Sequence, residues 1–445
     1  MKSYLEVKKT NTPLIGSIPI SWSLLTIRRI ITGHKQGFYS TEDYSEKGVK
    51  LLRISDLSET GLISYDEAPH VNIDENTYKA YEVKMGDFLF PRTGSIGLIG
   101  YQEQDIPSVF ASYLIRFRFR SNISTQYLKY YLTSYPFKQE LLSDLHGGVN
   151  QNIHAENIKN RHLVVPSHEE QTQIAQYLEY KTSLIDKLIE KNEKLIKLLE
   201  EQRSAIINQA VTKGLNPDVK MKDSGMEWIG KIPEHWEVKK LKYLIKDKLM
   251  YGANEPAIEE NVAHPRYIRI TDFGDKGELN EKTFKSLDPD KAQEYSLSEG
   301  DILFARSGAT VGKVFQFINY KGQACFAGYL IKASPNTKII DTNFLYLYTQ
   351  SAMYNNWKNS ILTQATIQNI GADKYSTLYV TFPTLIEEQN QIARYLQNKT
   401  SLIDKLVEEK RKTNEYLKEY RTTLISNVVT GKIDVRDEKI PESLN

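Results

Sequence analysis

The strongest constraint on this chain is that it is written twice. IGSIPISW (15–22) returns as IGKIPEHW (229–236), LRISDL (52–57) as IRITDF (268–273), and GDFLFPRTG (86–94) as GDILFARSG (300–308). FASYLI (110–115) matches FAGYLI (326–331), Gln151-Asn152-Ile153 matches Gln368-Asn369-Ile370, and KTSLIDKL is identical at 181–188 and 399–406. The order is preserved and the offset stays near ~215 residues, far beyond the period of a solenoid. The pattern is therefore a duplicated domain pair. Between the shared blocks the halves diverge, as in 32–48 against 247–265. A common frame with different inserts predicts two related scaffolds presenting different recognition surfaces.

Each copy has two parts. Residues from about 1 to 165 and from about 225 to 381 mix short β-like runs with turns; KLLRI, DFLFP and SYLIRFRF read as strands by their Ile, Leu, Phe and Tyr content. From 169 to 211 there is then no Gly or Pro, and a helix of that length would extend about 65 Å. Pro166 and Ser167 supply its break and cap, and Gly214 and Pro217 its stop. Residues 387–429 repeat this after Pro383, with Gly431 as the stop. Heptad steps place Leu178, Ile185, Asn192, Leu199 and Ile206 on one seam, with Ile174, Leu188 and Leu195 as complementary positions. The second helix offers Leu396, Ile403, Lys410, Leu417 and Leu424, with Ile392, Leu406 and Tyr420. Asn192 and Lys410 are repeat-equivalent polar interruptions. The expected fold class is α+β: two similar mixed α/β domains separated by two long helices that form an antiparallel coiled coil, with a pseudo-twofold internal repeat.

Composition narrows the function less than the repeat does. Lys and Arg total 58 against 56 Asp and Glu, a formal net charge of +2, which by itself points to no nucleic acid. The single cysteine, Cys325, excludes an internal disulfide or a cysteine-based zinc cluster. The eight histidines lack metal-ligand spacing. The opening segment has no signal-peptide apolar run, and no stretch of ~18 apolar residues follows. A cytoplasmic protein with no membrane partner is expected.

Catalytic motifs are represented only by decoys. GATVGKV (308–314) is one residue short of a phosphate loop and lacks its Ser or Thr. Asp218, Glu237 and Lys239 imitate a metal-dependent nuclease, but the repeat places Ser23 and Leu25 at the last two positions. Recognition has better candidates. Arg92-Thr93-Gly94 and Arg306-Ser307-Gly308 follow a strand, and arginine beside hydroxyls and bare N–H groups suits phosphate or guanine. The alternative is a structural turn in which the arginine pairs with Asp87 or Asp301. The divergent segments add Lys35, Gln36, Asn150 and Gln151 in the first half. In the second they add Tyr251, Asn254, Gln364 and Gln368. Arg116, Arg118 and Arg120 alternate along a strand and could track a phosphate backbone or form a solvated face.

The paired IP..W openings, the GD.L..R.G loops, the helix starts EEQTQIAQYL and EEQNQIARYL, and the repeated KTSLIDKL together resemble the specificity (S) subunit of type I restriction-modification systems. The resemblance covers essentially the whole chain. It implies a non-catalytic subunit whose target-recognition domains each read one half of a bipartite site in double-stranded DNA. It also implies a coiled coil that sets the spacer and docks two methyltransferase (M) subunits, with restriction (R) subunits joining the full complex. No cofactor is implied on this chain; S-adenosylmethionine, ATP and magnesium would belong to the partners. The division implied is 1–166 and 215–382 for the recognition domains (the second with its linker), 167–214 and 383–432 for the spacer helices, and 433–445 for the tail. Glu170, Gln171, Ile174, Glu388, Gln389 and Ile392, at the helix starts, become candidates for partner docking or for packing of the domain on its helix. A lone DNA-cleaving enzyme and a coiled-coil protein that never touches DNA are the competing readings.

Overall fold

The structure, a computed structural model, describes residues 2–39, 44–143, 152–274, 277–363 and 368–441. The chain divides into two compact units, 1–192 with 412–445, and 193–411. Each unit therefore takes one end of each long helix.

In the first unit an antiparallel four-stranded sheet runs in the order Ile31–Gln36, Leu114–Phe119, Phe88–Pro91, Gly100–Tyr101. The second unit repeats it as Met250–Tyr251, Leu330–Ala333, Ile302–Ala305, Val314–Gln316. Phe88–Pro91 and Ile302–Ala305 are buried at every position because both faces are covered, so their sequences read as continuous apolar runs. A parallel pair stands beside each sheet, Val49–Leu52 with Ser108–Phe110 and Arg266–Ile268 with Ala324–Phe326.

The recurring motifs mark recurring joints. In the Gly-Asp turns, Gly86 and Gly300 take φ of 91° and 90°. Asp87 accepts from the Lys84 amide at 2.9 Å and Asp301 from the Ser298 amide at 2.8 Å. In LRISDL and IRITDF, buried Asp56 and Asp272 each clamp the preceding arginine, Arg53 and Arg269, at 3.0 and 2.8 Å. The conserved look of these blocks thus comes from backbone turns.

The long helices span His168–Lys213 and Ile386–Val429. Ser167 Oγ accepts from the Glu170 amide at 3.2 Å, the predicted cap, and Gly214 and Gly431 leave the helices at φ of 76° and 74°. Within each unit the two helix ends pack antiparallel. In the first, Ile174, Leu178, Ile185 and Ile189 share a core with Leu424, Ile425 and Val428. In the second, Ile207, Ala210 and Val211 share one with Ile392, Ala393 and Leu396. Asp186 pairs with Arg421 at 3.0 Å in the first unit, and Arg203 with Asp404 at 2.9 Å in the second.

The seam corrects half of the heptad reading. Leu178, Ile185, Asn192, Leu396, Ile403 and Leu424 are buried as expected, but Leu188, Leu195, Leu406 and Tyr420 are exposed. Thr182, Ile189, Thr400, Val407 and Asn414 take the complementary buried positions. Asn192 donates from Nδ2 to Asn414 Oδ1 at 2.8 Å, so its partner is this amide and not the repeat-equivalent Lys410. An apolar side chain at Leu188 or Leu195 satisfies periodicity as well as a true seam position does, because the helices carry a second apolar face.

Candidate nucleic-acid interface

The Arg-hydroxyl-Gly loops are built the same way in both units. The Arg92 amide donates to the Tyr113 carbonyl at 2.8 Å, and the Ile153 amide donates to the Arg92 carbonyl at 2.7 Å. In the second unit Arg306 donates to Tyr329 at 3.0 Å and accepts from the Ile370 amide at 2.8 Å. Thr93 bridges to Asn152 and Ser307 to Asn369. The Asn-Ile pairs that close the shared blocks therefore fasten the arginine loops through their backbone, with Ile153 and Ile370 buried as anchors. Gly94 and Gly308 have φ of 74° and 78° with open space at the Cβ position, so conformation and not crowding selects glycine there.

The divergent segments are pinned alike. A Cβ on Gly37 would stand 2.1 Å from the Ala111 carbonyl oxygen, and one on Gly252 would stand 2.3 Å from that of Phe326. These two glycines let the segments cross the FASYLI and FAGYLI loops at backbone contact. Gln36 and Tyr251 consequently occupy matching places next to their arginines.

From there the units differ. In the first, a cleft of about 350 Å³ is lined by His34, Lys35, Gln36, Arg92, His154 and Glu156 among others. Among the described residues the Arg92 side chain makes no hydrogen bond or ion pair, which removes Asp87 as its partner. Asp87 is instead gripped by Arg118 at 2.7 and 2.6 Å. Arg116, whose Nε lies 3.8 Å from Asp87, donates to the Glu82 carbonyl, so of the three alternating arginines only Arg120 is exposed and the backbone-tracking face does not form. The Lys35 ammonium sits 4.2 Å from the Tyr81 ring centroid. His34 stacks on Phe117, and burial followed by the charge of Lys159 lowers its pKa. Glu156 is held by Lys159 and by Arg28, the latter at 2.5 Å; those hydrogen bonds pull its carboxyl down to about 2.

In the second unit Arg306 lies over the Tyr251 ring, 4.9 Å from its centroid, and reaches the Gly328 carbonyl at 3.4 Å; its Nε is buried with no hydrogen-bond partner among the described residues. Asp301 is not its counterion, being taken by Ser334 Oγ at 2.6 Å. Tyr251 accepts from the Ala372 amide at 2.9 Å and is still partly exposed. Asn254 lines a separate hollow of about 310 Å³ with Glu255, Arg269 and Tyr329. Gly308 and Gln368 are exposed beside the loop, and Ser307 is half-buried.

The geometry thus brings Lys35, Gln36 and Arg92 together, with Thr93 and Gly94 continuing the loop, and likewise Tyr251, Arg306 and Ser307. Asn150, Gln151 and Gln364 lie outside the described residues. Sequence reasoning did not select His154, Glu156, Tyr113 or Tyr329 as site residues. The last two are exposed tyrosines at the arginine loops, and their recurrence in FASYLI and FAGYLI was the available signal. The nuclease decoy dissolves: Glu237 and Lys239 pair with each other at 2.5 Å, and exposed Asp218 follows the first long helix.

At the helix starts these residues bond within their own unit. Trp22 donates from Nε1 to Glu170 at 3.1 Å and Trp236 to Glu388 at 3.0 Å. Gln171 accepts from the Ser124 amide at 2.8 Å and Gln389 from the Asp341 amide at 2.6 Å. These residues join each globular part to its own helix end, which buries Gln171, Ile174, Gln389 and Ile392 and leaves Glu170 and Glu388 half-buried.

A family model described as the type I restriction modification DNA specificity domain matches residues 19–200 and 233–418, one copy for each half of the repeat. The chain belongs to that family. As a specificity subunit it serves DNA sequence recognition and is not itself the catalyst. It is 26% identical to a putative type I restriction enzyme MjaX specificity subunit of Methanocaldococcus jannaschii, over 96% of this chain and 97% of that one. It is 24% identical to the StySPI specificity subunit of Salmonella potsdam, over 86% and 82%. Its fold matches a chain solved in a study of assembly and conformational transition of the type I R-M system, with TM-score 0.72, 15% identity, and 94% and 99% coverage. The HsdS subunit of Thermoanaerobacter tengcongensis also matches, with TM-score 0.53, 17% identity, and 94% and 98% coverage. Among the described residues no helix is long and apolar enough to cross a membrane.

Proposed function

We propose that this specificity subunit reads a bipartite DNA site, one half through each globular part, and directs adenine methylation and restriction by partner subunits in the cytoplasm. The reading domains would be 1–166 and 215–382, with 167–214 and 383–432 as spacer helices and 433–445 as a tail. The observation that carries this is the pair of arginine loops, clamped identically and surrounded differently. A shared scaffold with different surroundings is what two half-sites of different sequence require. Lys35, Gln36, Arg92, Thr93, Gly94, Asn150 and Gln151 would face the first half-site. Tyr251, Asn254, Arg306, Ser307, Gly308, Gln364 and Gln368 would face the second.

Docking of two methyltransferase subunits on the helix pair is supported by an unpaired apolar flank. In the first unit Leu184, Leu188, Tyr416 and Tyr420 are exposed, and in the second Leu195, Leu198, Leu402 and Leu406. By heptad position the residues named for each unit share one side of that unit's helix pair, and in the second unit the opposite side carries ion pairs such as Glu200–Arg411. Grouped exposed apolar side chains of this kind mark partner surfaces. Restriction subunits would join the assembled complex, and S-adenosylmethionine, ATP and magnesium would be held by the partners. Methylome sequencing of cells with and without the gene tests the whole reading: a bipartite adenine-methylated motif that vanishes with the gene supports it, and a continuous motif or none contradicts it.

A further inference from the structure

The first unit's cleft contains a hydrogen-bond acceptor beside its donors. Glu156 lines it together with Gln36, Arg92 and His154. Its carboxylate is tethered on one side by Arg28, Nη2 to Oε2 at 2.5 Å, and on the other by Lys159, and these hydrogen bonds favour its ionised form. An ionised carboxylate accepts hydrogen bonds and donates none. In the major groove such an acceptor matches an exocyclic amino group. Arg92 is the opposite kind of group, a fork of donors with no side-chain partner among the described residues. Guanine O6 and N7 accept such a fork, and the cytosine paired with that guanine offers its N4 amino group as donor. A donor fork and a tethered acceptor lining one cleft are together complementary to a single G·C pair.

Resting on the reading of this unit as a half-site reader, we propose that Glu156 is a specificity-determining residue that accepts from the cytosine amino group of a G·C pair whose guanine is held by Arg92. The inference concerns the first unit alone. At the matching place the second unit has the shorter Asp373, and its arginine is already stacked on Tyr251.

The test is selection from DNA randomised across the first half-site, using the full-length chain assembled with its methyltransferase subunits. Glu156→Ala is expected to reduce discrimination at one base pair by roughly 5- to 150-fold, at the base pair that Arg92→Ala also relaxes. Glu156→Gln, which keeps the shape and one acceptor oxygen but adds a donor, is expected to relax discrimination there less than Glu156→Ala, with Arg92 still favouring guanine. The second half-site stays as in the parent. Unchanged base preferences in both Glu156 variants, with Arg92→Ala still relaxing the first half-site, overturn the role of Glu156 and leave the half-site reading intact. A uniform gain in affinity for all sequences also overturns it, since that is the signature of charge removal alone. If Arg92→Ala leaves the first half-site untouched as well, the cleft is not the reading surface and the wider proposal fails with it.

Discussion

Arg92 and Arg306 stand on the same loop, fastened by the same backbone bonds, and differ in what surrounds the guanidinium. Arg92 opens into a cleft with Lys35, Gln36 and Glu156, whereas Arg306 is stacked on Tyr251 and leans on the Gly328 carbonyl. The loop motif therefore sets where an arginine stands, and the strand before Gly37 or Gly252 sets what it is free to contact. This division of labour explains why the shared blocks are shared. Gly86-Asp87, Asn-Ile, and the Trp–Glu joints all satisfy backbone or burial demands, and the variable residues are left to the reading surface.

The largest effects test whether the two scaffolds are equivalent. Trp22 and Trp236 are both fully buried and bonded to a helix-start glutamate. Trp22→Ala and Trp236→Ala should each destabilise their own unit by about 3–5 kcal/mol, read by hydrogen exchange resolved along the chain. Protection lost from only one of the two variants would show that the joints are not alike. Next come the arginines themselves. Arg92→Ala should weaken recognition of the first half-site, and Arg306→Ala that of the second, by about 1–3 kcal/mol each if they read bases. Binding assays on sites altered one half at a time would detect the opposite result, an equal loss at both halves.

The middle of the helix pair gives a comparable but separable effect. Asn192→Leu alone leaves the Asn414 amide buried without its partner, at a cost of about 1–3 kcal/mol. Asn192→Leu with Asn414→Leu should recover most of that loss in a denaturant titration. Failure to recover would mean that the amide pair has a role beyond mutual satisfaction. The smallest effect is in pH. His34 has its pKa lowered in the folded chain, so its neutral form is favoured by folding. Its contribution is complete above the ordinary histidine value and is lost as pH falls below it toward the depressed one. The second unit has Leu249 at this place. The stability of the first unit, read by hydrogen exchange resolved along the chain between pH 7 and 5, should accordingly fall relative to that of the second, and parallel profiles would assign the change elsewhere.

Much of this was legible in the sequence, because duplication prints every structural joint twice. The long helices, their caps and stops, and the strands flanking the arginine loops follow from composition and punctuation. The seam was only half legible. Leu188 and Leu406 are as apolar as Ile189 and Val407, and Thr182 and Thr400 look too polar for a core, so periodicity alone cannot choose between two adjacent faces. The site was legible at Arg92 and Arg306, whose motif recurs, but not at Glu156. A carboxylate in a basic recognition region looks like a solvated charge until Arg28 and Lys159, distant or unremarkable in sequence, are seen to hold it.

The central claim, that each globular part carries the reading of one half-site on an interchangeable scaffold, is tested most directly by domain duplication. Replacing residues 1–166 with a second copy of 215–382, and sequencing the methylated adenines in cells expressing the product, should yield a motif whose two halves both carry the second half-site sequence. Persistence of the original first half in that motif would contradict the account.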